Sequence, residues 1–114
     1  MNTGFLILPD GARLPVDEKG YLTDWRDWTP AVASVMAEAE GVELTSDHWL
    51  VLDLFRQYFE QYEIEPPMRA LVRLVRDRLG EEKGSSRYLY RLFPDGPGTQ
   101  ACRLAGLPRP VSCI

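Results

Sequence analysis

A chain of 114 residues, 45% hydrophobic and 26% charged, has the size and balance of one soluble domain with a modest core. No apolar run approaches the ~20 residues that cross a bilayer, and MNTGFLILPDGARL has neither a basic start nor a long apolar stretch. Neither a membrane span nor a signal peptide is therefore expected, and a cytoplasmic protein is. The net charge of −4 is split: residues 1–68 carry four basic and thirteen acidic side chains (net −9), residues 69–114 nine basic and four acidic (net +5).

In chain order, FLIL and ARLPVD flank PDG. Asp10-Gly11 is a strong turn signal, so a β-hairpin is expected over about residues 5–22, with a second turn at EKGYL. DWTPAVASVMAEAEG reads as a short helix: Thr29 at the N-cap, Pro30 in the first position, Gly41 at the stop, and Val32, Val35 and Met36 inward. LTSDHWLVLDLFRQYFEQYEI is the clearest helix. Thr45 or Ser46 caps it, Asp47 suits its first turn, and Trp49, Leu52, Phe55, Phe59 and Tyr62 recur at three- or four-residue spacing. EPP breaks the chain. PMRALVRLVRDRLG follows as a helix with Leu71, Val72, Val75 and Leu79 inward and Arg69, Arg73 and Arg76 outward, ended by Gly80.

EEKGSS reads as a polar, flexible connector, and SRYLYRLFP as a short helix stopped by Pro94. After the turn DGPG, PGTQACRLAG makes a last short helix that carries Cys102, with Gly106 just past its end. Pro108 and Pro110 in GLPRPVSCI forbid a helix and pre-order an extended chain. The expected architecture is mainly α: a small helical bundle with an N-terminal β-hairpin and a helix-turn-helix-like element, one domain over residues 1–105. A mobile C-terminal arm is expected over residues 106–114.

The chain has two cysteines, Cys102 and Cys113, and one histidine. A cytoplasmic setting disfavours a structural disulfide and points thiols towards metal or redox chemistry. Structural zinc wants four ligands, and two distant cysteines with one histidine do not supply them, so no metal site is expected. His48 in SDHW reads as a capping or surface residue. There is no glycine-rich nucleotide fingerprint, phosphate loop or serine triad, and no cofactor is expected.

Cys113 sits on the arm. A thiol on a mobile end is poorly placed to shape a transition state, but it suits insertion into another protein's site, where it can accept sulfur as a persulfide and pass it on. Cys102 would then be the resolving thiol, with Arg103 and Arg109 close enough in sequence to favour a thiolate. The blander alternative is one surface cysteine and one small buried one. Arg69, Arg73, Arg76 and Arg78, on the second of two helices around a break, leave weak DNA binding open beside a merely solubilising role. Trp25, Trp28, Tyr88 and Tyr90 read as core rather than as a docking surface.

The tail AGLPRPVSCI, the stretch EEKGSSRYLYRLFPDGPGTQACRLAG, and VDEKGYLTDWRDWTP with ELTSDHW resemble the DsrC/TusE family of sulfur-carrier proteins, also called the dissimilatory sulfite reductase gamma-subunit family. The resemblance spans nearly the whole chain. It implies a helical bundle with an N-terminal hairpin and a helix-turn-helix-like element. It also implies that Cys113 is the penultimate carrier cysteine, and that Cys102 marks the two-cysteine DsrC type, whereas TusE-like members lack the upstream cysteine. A sulfurtransferase-like carrier follows, a co-substrate of sulfur enzymes rather than a stand-alone catalyst. Its implied partner, met through the arm, is a siroheme sulfite reductase or a related sulfur enzyme. For the TusE type the implied partners are the relay that delivers sulfur for 2-thiouridine in tRNA. Ser85 stands where the family pattern has asparagine, and Arg109 where it has lysine.

Overall fold

The computed structural model describes residues 4–109. Its hairpin pairs β1 (Gly4–Ile7) with β2 (Arg13–Val16), Gly4 opposite Val16 and Ile7 opposite Arg13. The turn forms as its residues dictate: Asp10 Oδ1 accepts from the Ala12 N–H at 2.9 Å, and Gly11 takes a left-handed φ of 89°. Val16 then bridges to Leu22 across the second turn. Strand alternation turns Leu6, Leu8, Leu14 and Val16 towards the core and leaves Phe5 and Ile7 exposed.

Among the described residues five helices follow: α1 (Pro30–Glu40), α2 (Ser46–Tyr62), α3 (Met68–Leu79), α4 (Ser86–Leu92) and α5 (Cys102–Leu104). A single turn at Trp25–Asp27 precedes α1, and a wide turn at Pro97–Ala101 leads into α5. Thr29 and Gly41 bracket α1 as expected, the glycine at a φ of 74°. The inward face of α1 is Val32, Ala33, Met36 and Ala37, with Val35 only half-buried. The expectation for Val35 is thus corrected: α1 packs on α5, and the small alanines permit that approach.

Thr45 caps α2, and His48 completes the cap. Its Nδ1 accepts from the Thr45 N–H at 3.1 Å, which puts the ring proton on Nε2, 2.8 Å from the Leu92 carbonyl. The ring meets Phe93 edge-on and is 6% exposed. The capping role holds, while a surface placement does not. Tyr62, expected inward, is 54% exposed and pairs with Tyr58 one turn back, because the inward stripe of α2 ends at Phe59.

On α3, Leu71 and Val75 are buried, Val72 and Leu79 half-buried, and Arg69, Arg73, Arg76 and Arg78 exposed. EEKGSS, expected loose, is a fitted turn. Gly84 is buried, its N–H donates to the Gly80 carbonyl, its own carbonyl accepts from Arg76 Nη2 at 3.2 Å, and Ser85 Oγ caps α4 by accepting from the Tyr88 N–H. Lys83 pairs with Asp47 at 2.9 Å, and the Tyr88 hydroxyl donates to the same carboxylate. Tyr88 and Lys83 hold the Asp47 carboxyl below its ordinary range.

The core is one cluster that includes Val51, Leu52 and Phe55 of α2, Leu71 and Val75 of α3, Leu89 and Phe93, and Ala101, Cys102, Leu104, Ala105 and Leu107 of the C-terminal turn. Trp25, Trp28 and Tyr88 pack against it, but Tyr90 is exposed and leaves the expected core set.

Candidate functional site at the arm root

Cys102 opens α5 and is 0% exposed. The wide turn before it is held by Gln100, whose Oε1 accepts from the Asp95 N–H and whose Nε2 donates to Glu40 Oε1 at 2.9 Å. Glu40 also receives Arg103 as a fork, Nε at 2.9 Å and Nη2 at 2.8 Å. Burial pushes the Glu40 carboxyl up, but Arg103 and Gln100 together outweigh it and leave it below the usual carboxylate range. The Arg103 guanidinium, expected to favour a thiolate, is thus engaged by α1 and ties α5 to it.

The C-terminal end of α5 shows where its unpaired carbonyls go. The Leu107 N–H donates to the Cys102 carbonyl at 3.1 Å and the Gly106 N–H to Arg103 at 3.0 Å, a Schellman turn that needs the left-handed φ of 74° at Gly106. The next two carbonyls take side-chain donors: Leu104 from Trp28 Nε1 and Ala105 from Arg56 Nη1, both at 2.8 Å. Arg56 also donates to the Trp25 carbonyl and lies over the Trp28 ring at 4.4 Å and the Trp25 ring at 5.3 Å. Burial lowers the Arg56 guanidinium from its ordinary value, yet Arg stays charged in proteins. No local motif singles out Arg56 in the sequence. The signal for it was its place on the inward stripe of α2, between Leu52 and Phe59, as the one arginine or lysine of that helix.

From Ala105 to Leu107 the chain after α5 stays packed on the body. Gly106 and Leu107 are buried, so the arm expected from Gly106 does not leave there. Cys102 Sγ donates to the Pro108 carbonyl at 3.3 Å. Arg109 Nη2 reaches Asp17 Oδ2 at 3.2 Å and Glu18 Oε1 at 3.9 Å, so this second expected thiol helper is also held by carboxylates. Asp17 divides its oxygens: Oδ1 accepts from the Lys19 and Tyr21 N–H groups and builds the turn after β2, and Oδ2 takes Arg109. Cys113 lies outside the described residues. Among the described residues, no group of three His, Cys, Asp or Glu side chains is arranged to hold a metal, and no helix is long and apolar enough to cross a membrane.

Residues 9–114 match a family model described as DsrC like protein. The chain is 48% identical to a Yersinia pseudotuberculosis protein named sulfurtransferase TusE, over 92% of this chain and 97% of that one. Solved structures with the same fold include two that illustrate it. One is Allochromatium vinosum DsrC, with a TM-score of 0.88 and 48% identity, covering 99% of this chain and all of that one. The other is the oxidized gamma-subunit of the dissimilatory sulfite reductase from Archaeoglobus fulgidus, with a TM-score of 0.89 and 37% identity, covering 97% of this chain and all of that one.

Proposed function

From the premise that the chain belongs to the DsrC-like family, we propose that it is a sulfur-relay carrier whose penultimate cysteine, Cys113, holds the sulfur as a persulfide. Cys102 is the resolving thiol. The observation that carries this reading is the place of Cys102: it sits at the arm root, hydrogen-bonded to Pro108 of the segment that leads to Cys113. The step balances without an outside oxidant. The Cys102 thiolate attacks the inner sulfur of the Cys113 persulfide, the bond to the carried sulfur breaks, hydrosulfide leaves, and a Cys102–Cys113 disulfide remains. The Cys102 proton goes to solvent, and the carried sulfur is the atom reduced. The carrier is a co-substrate of its partners rather than a stand-alone catalyst.

The partners fall in two groups, both reached through the C-terminal arm. Cys102 marks the two-cysteine type and favours a sulfite reductase or related sulfur enzyme, as the names of the structural neighbours suggest. The similar sulfurtransferase keeps a TusE-like relay towards tRNA thiolation as the alternative. A cytoplasmic setting, where thiols stay reduced, suits either. Weak, salt-sensitive DNA contact is a secondary reading. Arg69, Arg73 and Arg78 of α3, with Arg87 and Arg91 of α4, make no ion pair among the described residues, and Arg69 and Arg73 border a groove of about 590 Å³ with Ser85 and Ser86.

Timed alkylation with peptide mass mapping tests the thiol assignment. Cys113 is expected to label well before the buried Cys102. Faster labelling of Cys102 would reverse the two roles.

A further inference from the structure

A carrier with a resolving thiol needs Cys102 kept from discharging Cys113 before a partner arrives. The thiolate is the attacking species and exchange needs access, and Cys102 is buried with its Sγ against the Pro108 carbonyl. The chain that covers Cys102 is held at its near end by bonds that do not yield easily. Leu107 is buried, its N–H is bonded to the Cys102 carbonyl, and Trp28 and Arg56 take the Leu104 and Ala105 carbonyls. Its far end is different. Pro108 and Arg109 are exposed, and the Arg109 side chain, 42% exposed, is tied to the body by Asp17 and, more distantly, Glu18.

We propose that Asp17 is a positioning residue for the thiol chemistry: through Arg109 it keeps Pro108 over Cys102 and holds the resolving thiol silent until the arm is drawn away. The inference rests on the carrier reading for its purpose, though not for its test. An exposed ion pair contributes up to about fivefold to a local equilibrium, so it suits a contact that a docking partner must break. Asp17 is fitted to both tasks because one oxygen builds the turn while the other faces Arg109. Asp17→Asn therefore keeps the turn acceptor and removes the charge and the acceptor that face Arg109.

The test uses the full chain with Cys113→Ser, in which Cys102 is the one remaining thiol, and follows its reaction with a disulfide reagent at low salt. Asp17→Asn is expected to speed labelling about threefold to fivefold at unchanged melting temperature. Arg109→Gln should do the same, Arg109→Lys should stay slow, and the double variant Asp17→Asn/Arg109→Gln should be no faster than either alone. High salt should speed the parent towards the variants and leave the variants unmoved. Arg109 is exposed near the chain end, so its replacement tests the idea even if Asp17→Asn perturbs the turn. Equal labelling of the parent and both single variants would overturn the proposal, as would additive effects of the two. Sulfur loading on Cys113 of the otherwise unchanged chain is a separate measurement. Its failure would sink the carrier reading, while the labelling rates would still decide the role of Asp17.

Discussion

Gly84→Ala is expected to destabilise the fold by about 3 kcal/mol, at the upper end of what overpacking costs. A β-carbon at residue 84 would lie 2.3 Å from Arg76 Cβ, 2.5 Å from Arg76 Cα and 2.9 Å from Arg76 N. Two of these atoms are helix backbone, so no rotamer change relieves the contact, and α3 and α4 must move apart. That separation also breaks the bond from Arg76 to the Gly84 carbonyl and strains the nearby Lys83–Asp47 pair. Gly84 does not have a positive φ, so the cost is steric rather than conformational. The melting temperature should fall by roughly 10 °C. Gly98→Ala is the control, since nothing lies within 4 Å of its added carbon. A loss below 1 kcal/mol for Gly84→Ala would contradict the packing of α3 on α4.

The second large effect lies at the arm root. Gly106→Ala is also expected to cost about 3 kcal/mol, for two reasons that add. At a φ of 74° an L side chain gives up about 1 kcal/mol relative to glycine. The added carbon would also stand 2.3 Å from Trp28 Cδ1 and 2.7 Å from Cγ. The indole cannot swing aside freely, because it donates to the Leu104 carbonyl and lies under Arg56. The variant should therefore show both a lower urea midpoint and a changed near-ultraviolet circular dichroism from the displaced indole. A variant with wild-type stability and an unaltered tryptophan signal would show that Gly106 does not close this turn.

These two glycines mark the boundary of what the sequence makes legible. Gly106 and Gly41 were readable as helix stops because the αL turn is a local requirement, and Thr29, Thr45 and Gly80 were readable because helix ends too have local residue preferences. The apolar spacing of α2 and α3 placed Leu52, Phe55, Leu71 and Val75 in the core because a 3.6-residue period decides which side of a helix faces inward. Tyr62 failed because period alone does not say where along a helix the core ends. Gly84 looked like part of a loose connector, because the residue that crowds it lies on another helix and leaves no trace in the local pattern. The arm root was the least legible part. Arg56 meets Ala105 across 49 residues and Arg109 meets Asp17 across 92, pairings that only the finished packing creates. Arg103 and Arg109 lie near the thiols in sequence, yet carboxylates from the other half of the chain take both. The charge asymmetry between the halves is therefore partly resolved inside the molecule, with Asp17, Glu40 and Asp47 each taking a cation from residues 83–109.

Loading and discharge of sulfur on the purified chain test the carrier reading most directly. The chain is treated with a persulfide donor, the donor is removed, and intact and peptide masses are followed over time. The account predicts one added sulfur on Cys113 in the wild type and in Cys102→Ser, and none in Cys113→Ser. It further predicts that the wild type, once unmasked, releases hydrosulfide and closes a Cys102–Cys113 disulfide, whereas Cys102→Ser keeps its sulfur until an external thiol takes it. A Cys113→Ser chain that loads as well as the wild type would contradict the account.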